Sequence, residues 1–436
     1  MPVGSETGNM VDRFIDAPSS RCTLHCNMIT DQAMTAQERK AVGSLALLYS
    51  FRMLGLFMVL PLLALYATDL SGATPALIGL ALGLYGLTQA VFQIPFGWLS
   101  DRVGRKPVIV GGLLLFALGS VVAATADSIW GVILGRTLQG AGAIASTVMA
   151  LVADLTSAEQ RTKAMALVGM SIGASFALAL VLGPVLASFG GLSAVFWATA
   201  ALAVCGIYIV TALVPAQPAA GRGHHEAIAQ RDLLGRSLRD GNLARLNLGV
   251  FVLHFVLMAS FLLVPHYLVD VAAVAREQHW LVYLCTLLLS ILGMVPLMAM
   301  GERGSRPRGA FLGGIGLVFA AVALILVVDS AWGLYGALWL FFVGFNYLEA
   351  SLPSLVSKSV FEGGKGTAMG VYSTAQFLGA FAGGAAGGWL LQSAGGSALL
   401  LLCLGMLFIW GLVARGGGYP TSTRTSPVEP IQAGQA

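Results

Sequence analysis

Four ionisable side chains stand inside long apolar stretches of this 436-residue sequence: Arg52, Arg136, His254 and Glu349. An ionisable group near the centre of a bilayer costs about 2.5 to 3.5 kcal/mol on insertion scales, so it usually faces a cavity and a partner. A carboxyl group in an apolar cavity can bind and release a proton in the cell's pH range, and a histidine does so without further help. We therefore predict proton coupling at His254 and Glu349, sharing a site, and include Arg52 and Arg136 in the predicted coupling set as the other buried charges.

These residues also have structural interpretations, which the sequence leaves open. Arg136 could bond to backbone carbonyl groups of neighbouring helices, and His254 could line a helix interface. Glu349 could stay protonated and hydrogen-bonded to Asn346 or Tyr347. The choice depends on how the helices pack.

Polar amides are candidates for lining a substrate cavity. Gln89 and Gln93 are four residues apart, so they share one face of a helix. Gln376 stands in the corresponding region of the second half of the chain and is expected to face them. With Tyr85 and Asn346, these amides are predicted to form the polar part of a largely apolar pocket. Plain packing is the alternative, above all for the aromatic residue.

A concentration of charge follows directly on an apolar run, in "GWLSDRVGRKP" at 97–107. Asp101 falls at the C-terminal end of a predicted helix, where the helix dipole disfavours a carboxylate by about 0.3 to 1 kcal/mol. Arg105 can fold back onto it, and Asp154 offers a second carboxylate to the same guanidinium. We expect these three side chains to meet. The alternative is that the bases only set the topology.

The elements that carry these residues are predicted to be membrane-spanning helices. Only 10% of the residues are charged and 57% are apolar, whereas soluble domains carry about 25% charged residues. A spanning helix needs roughly 20 apolar residues, and the chain contains twelve such runs. They lie near 42–68, 75–99, 107–126, 128–152, 164–188, 192–214, 246–269, 279–300, 309–328, 331–355, 366–391 and 396–414.

The basic residues predict the orientation, because Lys and Arg are kept on the cytoplasmic side of short loops. Nearly all of the 24 bases fall on one side, and the opposite loops hold only Arg276. Both termini are therefore expected in the cytoplasm. Two motifs recur: "DSIWG" at 127–131 as "DSAWG" at 329–333, and "TKAM" at 162–165 as "GTAM" at 366–369.

The repeats, 202 and 204 residues apart, predict two parallel halves around a substrate path. The expected fold is an all-α membrane protein with 12 transmembrane helices in two six-helix halves. Its parts are a cytoplasmic extension at 1–41, an N-terminal half at 42–214, a cytoplasmic linker at 215–245, a C-terminal half at 246–414 and a cytoplasmic tail at 415–436.

The charged turn resembles the loop signature of the major facilitator superfamily at every specified position. "GRTLQGAG" around Arg136 resembles the family's fourth-span signature, which is often tied to proton coupling. "FRMLGLFMVLP", "GLTQAVFQIPFG", "NYLEASLPSL" and "GTAMGVYSTAQFLG" are similar to inner-membrane members of its drug and proton antiporter branch. The resemblance implies a conformational latch that ties the halves together when the cytoplasmic side is closed, formed by Gly97, Asp101, Arg105 and Asp154.

Two features depart from that branch. Ala187 and Ser188 replace the last glycines of its Gly-Pro-x-x-Gly-Gly motif, which weakens the case for antiport over symport. Related members often carry a small soluble domain after the last span, and we expect this domain to be missing here. The segment 1–33 has no counterpart in the family, and Met34 is a possible start.

Together these features predict a secondary transporter, a proton-coupled exporter of small organic, drug-like or amphipathic compounds that works by alternating access. The alternatives are an importer or uniporter for a sugar or metabolite, and a sensor of the same fold that transports nothing. An enzyme is not expected, since no nucleophile with a base and no phosphate loop occurs at usable spacing.

The expected partners are a small-molecule substrate, protons and the lipid bilayer of a bacterial inner membrane, with the chain as a monomer. The net charge of +4 is scattered over short loops, so no nucleic acid partner is predicted. No cofactor or metal is predicted either. "RCTLHC", with Cys22, His25 and Cys26, could hold a metal but lacks a second ligand pair.

Overall fold

A computed structural model describes residues 34–215, 226–302, 306–360 and 365–416, and their regular structure is helical. The α-helices, in chain order, are α1 Ala36–Tyr66, α2 Pro75–Val103, α3 Arg105–Ala124, α4 Ile129–Ala141, α5 Ala145–Asp154, α6 Ala158–Tyr208, α7 Glu226–Arg239, α8 Gly241–Asp270, α9 His279–Glu302, α10 Pro307–Val327, α11 Ala331–Ser359 and α12 Lys365–Arg415. Nine described segments are long and apolar enough to cross a membrane, judged by length and composition.

The two copies of the "DS-x-WG" repeat start their helices in the same way. Ser128 caps α4, its hydroxyl accepting from the Gly131 N–H at 3.4 Å. Ser330 caps α11, its hydroxyl accepting from the Gly333 N–H at 3.3 Å. A serine in this position satisfies an amide group that the helix leaves unpaired. The sequence repeat is therefore also a structural repeat at these two helix starts.

Three breaks in the helices occur at glycine, one inside a predicted span and two between predicted spans. The run 128–152 is broken between α4 and α5, where Gly142 has non-helical angles of φ −72° and ψ 47°. The predicted spans 164–188 and 192–214 follow α6 and its π-helical continuation Ile209–Leu213, and the backbone leaves helical geometry between them, at Gly190 and Gly191. Spans 366–391 and 396–414 follow α12, whose backbone leaves helical geometry between them, at Gly395 with φ 81°. These turns are made by glycine and need no polar loop. The break within 128–152 is the one of the three that the apolar pattern did not predict.

The helices pack as two groups, which we call the N-terminal group, α1–α6, and the C-terminal group, α8–α12. In the first, α1 packs on α6, α3 on α4 and α6, and α2 on α4. In the second, α8 packs on α12, and α11 on α9 and α10. Contacts between the groups are made by α2 with α12, α1 with α8, and α6 with α9.

The contact of α2 with α12 is built from glycine. A Cβ atom added at Gly79, Gly83 or Gly86 would lie under 3.0 Å from the backbone of α12, and one added at Gly384 or Gly388 would lie as close to α2. Small residues let two helix backbones approach to this distance. The N-terminal part of α2 is thereby held tightly against the C-terminal group.

The C-terminal part of α2 differs. Val91, Ile94 and Trp98 are each at least half exposed, and the ring of Trp98 packs under the Arg102 guanidinium at 3.6 Å. The two groups are therefore in close contact at one end of α2 and not along its whole length.

Candidate functional site

A polar network joins three helices of the C-terminal group. The Gln376 Nε2 of α12 lies 2.8 Å from His254 Nε2 of α8 and 3.2 Å from Glu349 Oε1 of α11. His254 Nε2 and Glu349 Oε2 are 3.8 Å apart. The structure thus brings together the two residues predicted to share a site, and adds Gln376 between them. We call these three residues the proton network, after the role that the sequence predicts for His254 and Glu349.

An aromatic chain connects the proton network with the N-terminal group. The Phe345 ring lies 6.0 Å from the His254 ring and 6.2 Å from Phe176 of α6. Phe176 in turn packs edge-on against Phe57 of α1, at 5.1 Å. Rings at these distances and angles attract one another beyond the area they bury. The network therefore adjoins the interface of the two groups.

Two side-chain amides, those of Gln376 and Asn346, have other partners in the structure than the sequence suggested. Gln376 does not reach Gln89 and Gln93, because its amide is engaged with His254 and Glu349. Asn346 donates to the Ser290 hydroxyl at 3.0 Å, which takes its amide away from Glu349. The spacing shows which residues share a helix face but not which helix that face meets.

Arg52 lies inside the N-terminal group, almost fully buried. Its Nη2 donates to Gln89 Oε1 at 2.6 Å and to the Gly142 carbonyl at 3.1 Å. The Phe116 ring lies 5.6 Å from the guanidinium carbon. Gly142 stands at the break between α4 and α5, where helix carbonyls lack their usual partners. Arg52 therefore satisfies a carbonyl that the broken helix exposes.

Arg136 is also buried, in a second set of contacts. Its Nη1 donates to Gln139 Oε1 at 2.9 Å, and Gln139 Nε2 donates to the Ser120 hydroxyl at 2.8 Å. Its Nε donates to the Ala81 carbonyl at 3.4 Å, and the Tyr85 ring lies 4.7 Å away. Among the described residues neither Arg52 nor Arg136 forms an ion pair with a carboxylate. The structural interpretation of Arg136 as a carbonyl-bonded arginine therefore fits part of its contacts.

The charged turn has the geometry that its spacing predicts. Arg105 forms an ion pair with Asp101, and its Nε donates to Asp154 Oδ2 at 3.1 Å. Its Nη1 also donates to the Ser100 hydroxyl, at 2.7 Å. One guanidinium thus offsets two carboxylates, Asp101 at the C-terminal end of α2 and Asp154 at the C-terminal end of α5, where the helix dipoles disfavour them.

The two glycines of this turn, Gly97 and Gly104, suit their positions for different reasons. A Cβ atom on Gly97 would lie 3.3 Å from the Ser146 hydroxyl of α5, and that hydroxyl donates to the Gln93 carbonyl at 2.8 Å. Gly97 therefore lets α5 pack against α2. Gly104 has φ 98°, which a residue with a side chain rarely adopts, and it separates α2 from α3.

Sequence reasoning missed three participants. Gln139 and Ser120 complete the contacts of Arg136, and Phe176 carries the aromatic chain. Gln139 stands within the quoted "GRTLQGAG" stretch, three residues from Arg136 and so on the same helix face, which was the available signal. Ser120 and Phe176 carry no such signal in the sequence.

The two cysteines and the histidine of "RCTLHC", Cys22, Cys26 and His25, fall outside the described residues. Within the described ranges, no group of three His, Cys, Asp or Glu side chains is placed to hold a metal ion.

Comparison with known proteins gives the family. Residues 45–384 match the model of the Major Facilitator Superfamily. The chain is 48% identical over 387 residues to the inner membrane transport protein YajR of Escherichia coli (strain K12), covering 88% of this chain and 85% of that protein. It is 29% identical to the multidrug resistance protein MdtH of Aeromonas hydrophila, covering 77% and 84% of the two chains.

Among solved structures, a bacterial homologue of the human lysosomal transporter Spinster, in an inward-facing and occupied conformation, superposes with a TM-score of 0.67 at 14% identity, over 88% of this chain and 96% of that one. At this identity the likeness concerns the fold. As its motifs predict, the chain belongs to the major facilitator superfamily of membrane transporters, with YajR among its relatives, and it is not an enzyme.

Proposed function

We propose that this chain is a proton-driven exporter of small organic compounds, acting by alternating access as a monomer in the bacterial inner membrane. Twelve spans in two six-helix halves, 42–214 and 246–414, fit the helices when α6 and α12 each count as two spans and α4 with α5 counts as one. The equivalent caps of Ser128 and Ser330 support related halves, since they open the fourth and tenth spans in this count.

The orientation with both termini in the cytoplasm rests on the basic residues. In this orientation the glycine contact between α2 and α12 lies on the outer side, where Asp69 and Arg276 also approach to 3.9 Å across the two groups. The exposed end of α2, with Asp101 and Arg105, lies on the cytoplasmic side. These contacts support an inward-facing arrangement, closed outside and open towards the cytoplasm.

The observation that carries the proposal is the proton network. A carboxyl group and an imidazole lie within 3.8 Å of each other inside apolar helices, the pair of groups that proton transfer in proteins most often uses. A proton taken up from the outer side neutralises the pair as substrate leaves outward. Arg52 and Arg136 contribute their positive charges from the N-terminal group, where neither is paired with a carboxylate among the described residues.

The substrate cavity is proposed at the interface of the two groups. Phe345, Phe176 and Phe57 supply an apolar wall that suits amphipathic compounds. Gln93 adds a buried amide whose Oε1 has no hydrogen-bond partner among the described residues. The name of the relative MdtH supports a drug-like substrate class.

The proposed latch acts at the cytoplasmic end of α2. Arg105 already holds both carboxylates in the described arrangement. When the cytoplasmic side closes, this end of α2 approaches α12. The charged turn then fixes the position of α2 against α12.

Accumulation assays with Glu349→Gln test the proposal. We compare the variant with the parent over a pH series and across a panel of compounds, in cells that lack other copies of the transporter. Gln cannot bind a proton at this site, so export against a gradient should be lost. Glu277→Gln is the matched control, because Glu277 is exposed in the segment before α9 and far from the proton network.

Three outcomes would contradict the proposal. Glu349→Gln exporting as well as the parent at every pH would remove Glu349 from coupling. Substrate uptake accompanied by inward proton flux in proteoliposomes would instead indicate an importer. No change in accumulation for any compound, with or without the chain, would favour a sensor.

A further inference from the structure

We propose that the side-chain amide of Gln376 directs the transported proton to Glu349 and keeps His254 neutral. This inference deepens the proton coupling proposed above, and its role in transport rests on that proposal. It assigns to Gln376 the part of a positioning residue, which takes up no proton itself.

The first step is the protonation state of the His254 ring. Nδ1 lies 3.1 Å from the backbone carbonyl of Val250, one helical turn earlier. A carbonyl oxygen can only accept a hydrogen bond, so Nδ1 carries a hydrogen. In a neutral imidazole the other nitrogen, Nε2, then has a free lone pair and must act as an acceptor.

The second step concerns the two hydrogens on Gln376 Nε2. One points to His254 Nε2 at 2.8 Å and the other to Glu349 Oε1 at 3.2 Å. Both acceptors need a donor, and an amide NH₂ group supplies two. The reverse orientation of the amide would place its oxygen against Glu349 Oε1, and an ionised carboxylate can only accept hydrogen bonds. The ionised Glu349 therefore fixes which way the amide points, and this orientation leaves His254 Nε2 as the acceptor of the second hydrogen.

The third step compares the two possible proton sites. Glu349 Oε2 is buried and has no hydrogen-bond partner among the described residues. A proton taken up there leaves Oε1 free to accept from Gln376, so every existing hydrogen bond is kept. The proton comes from water on the open side and returns to water after the halves have moved.

A proton on His254 Nε2 has the opposite effect. It would set an N–H group against the N–H group of Gln376 across 2.8 Å. To relieve this contact the amide would have to rotate by about 180°. It would then turn its oxygen to His254 and give up the bond to Glu349. Gln376 in its present orientation therefore opposes protonation of His254 and tolerates protonation of Glu349.

The neighbouring helices bring few other ionisable groups to this network. Tyr372 stands one turn before Gln376 on α12, and its hydroxyl is buried without a hydrogen-bond partner among the described residues. Phe345 covers the His254 ring from α11. Tyr49 and Arg52 lie near Tyr85, Tyr283 lies in the small cavity beside Phe261, and Tyr347 lies against Gly301 and Gly314. On α8, His266 bonds to the Leu262 carbonyl at 3.2 Å, and Arg245 and Asp270 stand near the helix ends. Lys358 stands in the last turn of α11.

Gln376 also connects the proton network with the contact between the two groups of helices. It lies on α12, the helix that carries the glycine contact with α2 between the two groups. Phe377, the next residue, offers its carbonyl to the close approach of Gly86. A change in the bonding of Gln376 therefore occurs directly beside the contact that alternating access must open.

The test is nitrogen NMR of the full-length protein in lipid nanodiscs, with isotope-labelled histidine, from about pH 5 to about pH 8. The chain has six histidines, and His254→Gln identifies the signal of interest. In the parent we expect His254 to keep a hydrogen on Nδ1 and none on Nε2 throughout. The infrared carboxylic acid band that is missing in Glu349→Gln should grow as the pH falls.

Gln376→Met removes the donor at similar side-chain size, and His254 should then become doubly protonated within the same series. Gln392→Met is the matched control. It removes an amide from the same helix, one whose oxygen accepts from the Ala76 N–H at 3.2 Å, and it should leave His254 as in the parent.

Double protonation of His254 in the parent would overturn the proposal, and this arm does not depend on any variant folding. A neutral His254 in Gln376→Met would overturn it as well. Neither readout measures transport. If Glu349→Gln exports normally while His254 stays neutral in the parent, the coupling proposal fails and the selection by Gln376 stands.

Discussion

The glycine contact between α2 and α12 allows a prediction about the conformational equilibrium. A Cβ atom added at Gly83 would lie 2.6 Å from the Phe381 carbonyl oxygen and 3.2 Å from the Ala385 amide nitrogen. Ordinary contact begins at 3.4 Å, so in Gly83→Ala the new Cβ atom and the Phe381 carbonyl oxygen must lie 0.8 Å further apart than the present backbones allow. Both obstructing atoms are backbone, and no flexible side chain can move aside.

Such overpacking costs about 1 to 3 kcal/mol. The cost applies to the arrangement in which α2 and α12 touch, and it is relieved when they separate. A difference of this size shifts an equilibrium by about 5- to 150-fold. Alanine also favours helix over glycine by about 1 kcal/mol, so α2 itself is not weakened. Gly83→Ala should therefore move the protein from the inward-facing to the outward-facing state.

Electron–electron double resonance between spin labels can measure this shift. Labels at Asp127→Cys and Asp329→Cys, in a background without native cysteines, stand at repeat-related positions of the two groups. Asp127 lies beside Ser71, just before α2, where its carbonyl accepts from the Ser71 N–H at 3.1 Å. We expect Gly83→Ala to increase the population at long distances.

Gly370→Ala is the control, because Gly370 stands on α12 with nothing within 4 Å of its added Cβ. If Gly83→Ala and Gly370→Ala give the same distance distribution, the glycine contact does not set the equilibrium and the reasoning is refuted.

Two further substitutions test the arginines. Arg105→Gln leaves two carboxylates without their shared guanidinium and should lower the transport rate roughly tenfold, the effect of about 1.4 kcal/mol. Arg102→Gln removes a base of the same turn that contacts no carboxylate among the described residues, so it should change the rate little. Equal rates for the two variants would argue against the latch. Arg52→Met leaves the Gly142 carbonyl and a buried amide without partners, at about 1 to 3 kcal/mol each. It should lower the thermal unfolding temperature in detergent. Arg39→Met, which removes an exposed arginine, should not. An unchanged unfolding temperature for both variants would mean that the break between α4 and α5 does not need Arg52.

Much of the architecture follows from local features of the sequence. The apolar runs predicted a helical membrane protein because a span needs a minimum apolar length. The charged turn predicted the meeting of Arg105 with Asp101, since an arginine just after the helix end can fold back onto a carboxylate that the helix dipole disfavours. The break at Gly142 inside the run 128–152 was not predicted, because glycine turns the backbone there without a polar loop.

The candidate site was only half predictable, for a physical reason. The sequence determined that His254 and Glu349 are ionisable groups in apolar helices, because residue type and hydropathy are local properties. Only the tertiary structure decided that Gln376 stands between them, and that Arg52 donates to the Gly142 carbonyl at the break between α4 and α5. Helical periodicity determines which side chains share a face, whereas the partner of that face depends on how α8, α11 and α12 pack together.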